Sequence, residues 1–244
     1  MSRTVAIIQA RMGSSRLPGK VLTDIGGQSM LERVVSRAAR ARRLDAVVVA
    51  TTTDARDDVV VRECNRLGVL SFRGSENDVL DRYYGAARAF EADTVVRTTS
   101  DCPLIDPHLV DRVVGELVRQ QADYASNTLV LSYPRGLDAE AFTMASLAAA
   151  WENATEAYER VHVTPFLYRR PDRFKLVNVA CAEDVSTLRW TVDTPDDLQL
   201  LRSLFERAAH LGDPGWEDVL EIVRREPALR EINGHIRQKA LEEG

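Results

Sequence analysis

The feature of the sequence that most constrains the fold is an alternation of short β-branched runs with amphipathic stretches through the first half of the chain. This alternation is typical of βαβ units, and it predicts an α/β protein with a mainly parallel sheet. The predicted strands are Thr4–Gln9, Ala46–Thr51, Val69–Phe72 and Thr94–Thr99, and the predicted helices cover about 29–42, 54–67, 77–91 and 107–121.

The second half of the chain has a less regular pattern. It predicts strands at Phe174–Ala180 and Leu188–Val192, and helices at about 143–154, 156–170 and 195–211. The tail from Trp216 to Glu243 predicts two more helices separated at Pro227, because proline interrupts a helical pattern. No Gly/Ser-rich linker or repeat divides the sequence, so we predict one domain over 1–244 with a helical tail from about 213 to 244.

Composition and charge disfavour several classes of protein. The formal net charge is -5 with both signs interspersed, so no nucleic-acid partner is expected. The three cysteines form no C-x-x-C pair, which disfavours a disulfide framework and a zinc site. The apolar run at the start is too short for a signal peptide, and no run could cross a membrane. We expect a soluble cytoplasmic protein with no membrane partner, in which the arginines between Arg37 and Arg43 form a solvated helix end.

The segment from Gln9 to Lys20 directly follows the first predicted strand and is rich in small residues and cations. Small residues let backbone N–H groups approach phosphate oxygens, and Arg11, Arg16 and Lys20 can neutralise a triphosphate. The glycine spacing is not that of a Walker A loop, Val21 stands where that loop has Ser or Thr, and G-x-G-x-x-G is absent. We therefore predict a phosphate-binding loop of another kind.

Two aspartates, Asp101 and Asp193, each come directly after a predicted strand. Ligands bind beyond the carboxyl ends of such strands, so both carboxylates are expected at one edge of the sheet, facing the loop. Mg²⁺ prefers oxygen ligands, commonly one or two carboxylates with substrate phosphates. We predict that Asp101 and Asp193 bind Mg²⁺, whereas Asp106 and Asp196 are interpreted as helix caps or first-turn acids.

A resemblance to a known family is carried by residues 10–20, Ala-Arg-Met-Gly-Ser-Ser-Arg-Leu-Pro-Gly-Lys. This segment closely resembles the signature of the CMP-sugar synthetases, nearest to KDO cytidylyltransferases and to the spore-coat polysaccharide biosynthesis branch. The chain departs from the family at Ser100, where glycine is usual, and from the branch at Val161, where glutamate is usual. Motifs of the spore-coat branch are further resembled by residues 74–83, 100–107, 133–140 and 188–198.

The resemblance implies a three-layer α/β/α sandwich like that of nucleotide-diphospho-sugar transferases, and a homodimer. It implies that the loop binds CTP, with Arg11 and Lys20 acting on the phosphates as the catalytic residues. In the resembling families the aspartates that match Asp101 and Asp193 bind Mg²⁺. The nucleotide-binding residues are expected to be Ala10, Arg11, Met12, Gly13, Ser14, Arg16, Lys20 and Ser100.

The activity expected from these features is Mg²⁺-dependent transfer of CMP from CTP to an acidic sugar or similar small acceptor, with release of pyrophosphate. The candidates for acceptor binding are Arg135, Asp138, Glu140 and His162, because arginine suits a carboxylate and acids suit sugar hydroxyls. Two alternatives stay open. One is a glycosyltransferase of the same architecture that uses a nucleotide sugar, although Asp101 lacks the second acid of an Asp-x-Asp motif. The other is a catalytically inactive nucleotide-binding protein.

Overall fold

A central sheet of seven strands organises the residues that the computed structural model describes, 2–212 and 214–238. The strands are β1 (Thr4–Gln9), β2 (Asp24–Ile25), β3 (Gln28–Ser29), β4 (Ala46–Thr52), β5 (Leu70–Gly74), β6 (Thr94–Thr99), β7 (Tyr124–Ser126), β8 (Glu140–Thr143) and β9 (Leu176–Asn178). The helices are α1 (Met30–Ala38), α2 (Asp58–Leu67), α3 (Val79–Ala89), α4 (Pro107–Gln120), α5 (Met144–Asn153), α6 (Ala157–His162), α7 (Pro165–Tyr168), α8 (Pro195–Ala208) and α9 (Trp216–Arg225). Short 3₁₀ segments occur at Lys20–Leu22, Ala55–Asp57, Ala209–Leu211 and Pro227–Glu231.

The strand order is β5-β4-β1-β6-β8-β7-β9, and it confirms the predicted mainly parallel sheet. Strand β1 pairs in parallel with β4 and β6, and β4 pairs in parallel with β5. Strand β8 runs antiparallel to both β6 and β7. Since the carboxyl ends of β1, β4 and β6 share one edge, the segments that follow these strands meet there.

Helices cover both faces of the sheet, which confirms the α/β/α sandwich. Residues of α1, α2, α4, α8 and α9 pack on one face together with Ala6 and Ile8 of β1. Residues of α3, α5 and α7 pack on the other face together with Val5 and Ile7. Successive side chains of a strand point to opposite faces, so a strand that is buried on both sides becomes a continuous apolar run. This explains why β1 could be predicted from the sequence.

The strand predicted at Leu188–Val192 is wrong. This segment is extended, but it makes only an isolated β-bridge between Arg189 and Arg135. Its apolar residues are nevertheless buried, with Trp190 and Val192 in the core. The apolar pattern therefore predicted burial correctly, while among the described residues no strand lies along the segment to form a ladder with it.

Several other predicted elements differ from the structure. The helix expected at 156–170 is divided into α6 and α7, because Val163 has a positive φ of 74° and a proline opens α7. Strands β7 and β8 and the β2–β3 hairpin were not predicted. After α9, the second tail helix is only the 3₁₀ segment Pro227–Glu231, and the rest of that prediction, beyond residue 238, lies outside the described residues.

Arg37 does not belong to a solvated helix end as predicted. Its guanidinium is buried and donates to the carbonyl oxygens of Ile105 at 2.8 Å and Pro214 at 3.0 Å. Burial lowers the pKa of Arg37 to about 10. The side chain thus connects α1 to two loops rather than facing solvent.

In the described part of the chain, every helix is too short or too polar to span a bilayer.

Candidate active site

The loop that follows β1 is held in place by a buried carboxylate. The Met12 amide donates to Asp57 Oδ1 at 2.7 Å, and the Thr52 amide donates to Asp57 Oδ2 at 3.3 Å. Asp57 is only 3% exposed, so it ties the loop to the end of β4 from inside the protein. The sequence analysis missed this residue, because an acid at the start of a predicted helix is ordinarily explained by the helix N-terminus.

Gly19 ends the loop with a backbone conformation that favours glycine. Its φ is +73°, and its amide donates to the Met12 carbonyl at 3.1 Å. A Cβ at this position would lie 3.3 Å from Met12 Cε, in addition to the cost of the left-handed conformation. The 3₁₀ turn that begins at the next residue carries Lys20 into the interior.

Lys20 lies between the two carboxylates that were predicted to bind metal. Its Nζ atom donates to Asp101 Oδ2 at 2.8 Å, to Asp193 Oδ1 at 2.9 Å and to the Val192 carbonyl at 2.7 Å. An ammonium group has three donors, and all three are used here. Asp193 does not follow a strand. It is held beside Asp101 by the hydrogen bond that the Val192 amide donates to the Asp101 carbonyl at 2.9 Å.

The pKa values of this cluster follow from burial and opposite charge. Burial lowers the pKa of Lys20, but Asp101 and Asp193 more than offset this and raise it above its usual value. Burial likewise works to raise the pKa of Asp101, yet Lys20 holds it below its usual value. Burial, together with the charge of Asp101, raises the pKa of Cys102 well above the ordinary thiol value, so this cysteine is not an activated nucleophile.

The Asp193 carboxylate is also held by two arginines. Arg16 NH2 lies 3.0 Å from Asp193 Oδ1, and Arg189 NH2 donates to Asp193 Oδ2 at 2.9 Å. Arg189 Nε in turn donates to Asp197 Oδ1 at 2.9 Å, and Asn233 Nδ2 donates to the same oxygen at 2.9 Å. The sequence analysis missed Arg189, Asp197 and Asn233. The resembling segment at 188–198 contained two of them, but only their contacts reveal their role.

A cavity of about 310 Å³ lies over the loop. Arg11 is exposed there, and within residues 2–212 and 214–238 it has no ion-pair partner. Met12 does not line the cavity; its side chain packs against the core while its amide bonds to Asp57. The other predicted nucleotide-binding residues all line this cavity, namely Ala10, Gly13, Ser14, Arg16, Lys20 and Ser100.

A second, larger cavity of about 590 Å³ adjoins the first, and Asp101 borders both. The two cavities together form a continuous cleft along the carboxyl edge of β1 and β6. Asp193 lines the larger cavity only. The structure brings all four predicted acceptor residues into this cavity: Arg135, Asp138, Glu140 and His162.

The four acceptor candidates have different surroundings. Arg135 NH1 and Asp138 Oδ2 lie 3.9 Å apart, and burial raises the pKa of Asp138 with Arg135 only partly opposing the change. His162 borders both cavities. Glu140 is paired with Arg97, and its Oε2 atom accepts from the Tyr124 hydroxyl at 2.8 Å. Both oxygens of Glu140 are thus engaged inside the protein, and direct contact with an acceptor stays a prediction.

The fold and this cleft define a nucleotidyltransferase of the nucleotide-diphospho-sugar transferase type. The protein belongs to the cytidylyltransferase family, whose model, Cytidylyltransferase, matches residues 5–208. It is a CTP-dependent nucleotidyltransferase, as the resemblance of residues 10–20 implied.

The chain is similar over nearly its whole length to several proteins of known sequence or structure. The chain is 38% identical over 243 residues to an uncharacterized protein of Methanocaldococcus jannaschii, with 99% of this chain and 98% of that protein covered. It is 31% identical to the spore coat polysaccharide biosynthesis protein SpsF of Bacillus subtilis, with 93% of this chain and 96% of SpsF covered. A cytidylyltransferase from Leptospira borgpetersenii has a similar structure, with a TM-score of 0.90, 31% identity and coverage of 98% and 100% of the two chains.

The structure of CMP:2-keto-3-deoxy-manno-octonic acid synthetase complexed with CTP shares the fold, with a TM-score of 0.65 and 21% identity over 84% of this chain and 99% of that one. Family membership supports the cytidylyltransferase interpretation over the glycosyltransferase and the inactive protein.

Proposed function

We propose that this cytidylyltransferase transfers CMP from CTP to the hydroxyl of a sugar acid or similar small acceptor, with Mg²⁺ bound by Asp101 and Asp193. The observation that carries the proposal is the position of Lys20, whose Nζ joins both carboxylates at the boundary between the two cavities. The homodimer, the cytoplasmic location and the single domain over 1–244 stay predictions beside it.

The donor set of Asp101 and Asp193 is suited to Mg²⁺. Both carboxylates lie within hydrogen-bonding distance of one ammonium nitrogen, at 2.8 and 2.9 Å, so they converge on the position of a single cation. Two carboxylates beside a phosphate-binding loop are the protein ligands that Mg²⁺ commonly has in nucleotide sites. When bound, the metal would supply positive charge that offsets charge developing on the triphosphate.

The side chains of the loop would bind and orient the triphosphate. Arg11 is exposed in the smaller cavity and forms no ion pair with another described residue, so it is available to phosphate oxygens. Lys20 and Arg16 are held by carboxylates and would have to exchange them for phosphate oxygens. In the reaction the acceptor oxygen attacks the α-phosphorus, the bond from that phosphorus to the pyrophosphate oxygen breaks, and the hydroxyl proton is released. Catalysis of this kind rests on positioning and charge rather than on a covalent intermediate.

The nucleotide assignment is tested by thermal shift with CTP, UTP, ATP and GTP. A ligand at about one hundred times its Kd adds about 2.7 kcal/mol to the free energy of unfolding. For a chain of this size that gain raises Tm by about 5–11 °C, and we expect it for CTP alone. Equal shifts with all four nucleotides would remove the cytidine assignment.

The metal assignment is tested with Asp101→Asn and Asp193→Asn. Each substitution keeps the shape and removes a charge that Mg²⁺ requires, so we expect turnover to fall at least about a hundredfold. Turnover of each variant should recover in part as the Mg²⁺ concentration rises. The control is Asp196→Asn, three residues after Asp193 in the first turn of α8, which should be active. Undiminished activity of the wild-type protein in excess EDTA would contradict both metal roles.

A further inference from the structure

Arg97 and Glu140 form a charged pair inside the central sheet. They are direct partners across the antiparallel β6–β8 ladder, and Arg97 NH1 pairs with Glu140 Oε1. Their side chains are only 14% and 8% exposed. The preceding cross-strand pair on the same face is Val95 with Phe142, both fully buried and apolar. The apolar face of the sheet therefore changes to a charged one where it reaches the larger cavity.

Fold stability does not explain the pair. Removing two charges from water is costly, and apolar residues of similar volume are often neutral or stabilising in place of a buried pair. Both carboxylate oxygens of Glu140 have partners, because Oε1 pairs with Arg97 and Oε2 accepts from the Tyr124 hydroxyl at 2.8 Å. The contact through NH1 fixes the orientation of the Arg97 guanidinium at the wall of the cavity.

The guanidinium keeps hydrogen-bonding capacity after these contacts. Its NH2 group reaches only Gln9 Oε1, at 3.5 Å, and its buried Nε has no hydrogen-bond partner within residues 2–212 and 214–238. Burial lowers the pKa of Arg97, but Glu140 more than offsets this and raises it, so the group stays charged. The NH2 group is the donor available to a ligand in the cavity, because the buried Nε atom is out of a ligand's reach. A desolvated and oriented guanidinium with a weakly used NH2 group is suited to a carboxylate oxygen, because charge-assisted bonds are strong in such surroundings.

We propose that Arg97 is a specificity-determining residue that recognises the carboxylate of a sugar-acid acceptor in the larger cavity, with Glu140 and Tyr124 as its positioning residues. This inference rests on the proposed function and narrows its acceptor to an acid. Arg135, in the same cavity, is the alternative carboxylate ligand. Its NH1 atom lies 3.9 Å from Asp138 Oδ2, and in the described part of the chain no buried carboxylate holds it as Glu140 holds Arg97.

The test compares sugar acids with their carboxamides as acceptors. The acids are 3-deoxy-manno-octulosonate and a series of hexuronic and aldonic acids, and the readout is pyrophosphate release at saturating CTP and Mg²⁺. For wild-type protein we expect the acid to be preferred over its amide. In Arg97→Met the acceptor kcat/KM for the acid should fall about tenfold to a hundredfold, the size of one lost charge-assisted hydrogen bond. The KM for CTP should stay within about twofold, because Arg97 does not line the smaller cavity.

Three further variants separate recognition from folding. Arg97→Lys keeps the charge and should recover part of the preference for the acid, while Arg135→Met should keep that preference. Glu140→Gln should raise the acceptor KM without changing the KM for CTP. A thermal melt of each variant identifies loss of fold directly.

The inference is overturned if Arg97→Met keeps the wild-type preference for acid over amide, if Arg135→Met alone removes it, or if wild-type protein uses none of the acids. CTP binding, measured by thermal shift on the same preparations, distinguishes these outcomes from failure of the proposed function. Protein that binds CTP but uses only neutral acceptors refutes the role of Arg97 and leaves the cytidylyl transfer intact. Protein that does not bind CTP refutes the proposed function itself.

Discussion

Asp197 provides the sharpest test of how the site is built, because it lines neither cavity and yet supports Asp193. It is fully buried in the first turn of α8. Its carboxylate accepts from Arg189 Nε at 2.9 Å, Arg189 NH2 at 3.0 Å and Asn233 Nδ2 at 2.9 Å. The amides of Asp193 and Thr194 also donate to it, each at 3.0 Å. The substitution Asp197→Asn keeps the shape but removes the charge and turns an amide NH₂ toward these donors.

The expected loss of stability in Asp197→Asn follows from Arg189, whose buried charge stays in place. Removing one member of a buried pair typically costs about 3–5 kcal/mol, because the other charge stays buried. Arg189 keeps its bond to Asp193 at 2.9 Å, so we expect the lower end of this range, about 3 kcal/mol. In a chain of this size each kcal/mol lowers Tm by about 2–4 °C, which gives a fall of about 6–12 °C.

The assay is thermal unfolding followed by turnover measured well below the lowered Tm. The matched control is Asp196→Asn, one residue away, whose side chain is 46% exposed and pairs with His235 at 3.2 Å. A surface change of this kind is usually within about 0.5 kcal/mol, or a shift of less than about 2 °C. Turnover of Asp197→Asn should also fall, since Arg189 and the Asp193 amide lose their common anchor. If the two variants unfold at the same temperature, the assignment of Asp197 as the anchor of Asp193 is refuted.

Two more predictions concern the loop and the ion cluster. Asp57→Ala should weaken CTP binding about tenfold, because the Met12 amide loses its 2.7 Å bond, whereas the neighbouring Asp58→Ala should not, as titration calorimetry can show. The lowered pKa of Asp101 means that its contribution to stability is present above the unfolded value of about 3.9 and is lost as pH falls through the folded value. The raised pKa of Lys20 has the opposite sign, so its contribution is present below about 10.4 and is lost as pH rises through the folded value. Melting curves between pH 3 and pH 7, about the range in which carboxylates titrate, should therefore decline less steeply in acid for Lys20→Met than for wild type; parallel curves would argue against the coupling.

Local signals predicted the elements whose residues are buried on both sides and whose ends are marked. Strands β1 and β6 have the predicted bounds, and α8 begins where Thr194 caps it before a proline. The loop from Gln9 to Lys20 was predicted from its small residues and cations, and it lies after β1 beside the smaller cavity, as expected. In these places the local sequence and the tertiary structure favour the same conformation.

Other features depended on distant partners and could not be predicted. Strand β8 has only four residues and begins with a charged one, so its pattern did not indicate a strand until β6 and β7 were placed beside it. Asp57 lies at the start of a helix, where an acid is ordinarily explained by capping. Arg97 lies within a strand, where its presence alone does not indicate a function. Their roles come from contacts across 45 and 43 residues of sequence, to Met12 and Glu140 respectively. Such pairs leave no periodic signal in the chain.

Arg16, Lys20, Asp101 and Asp193 were predicted separately, and in the structure they form ion pairs together with Arg189 and Asp197, which were not predicted. Lys20, Arg16 and Arg189 face Asp101, Asp193 and Asp197 at 2.8 to 3.0 Å, so the edge of the sheet has no net charge from these six groups. An ammonium whose three donors are all used cannot bind phosphate without giving up a carboxylate. Under the proposed function, Lys20 must therefore exchange its partners when a triphosphate enters, and the carboxylates it leaves require another cation. Arg11, which has no ion-pair partner among the described residues, is the cation best placed to make the first phosphate contact.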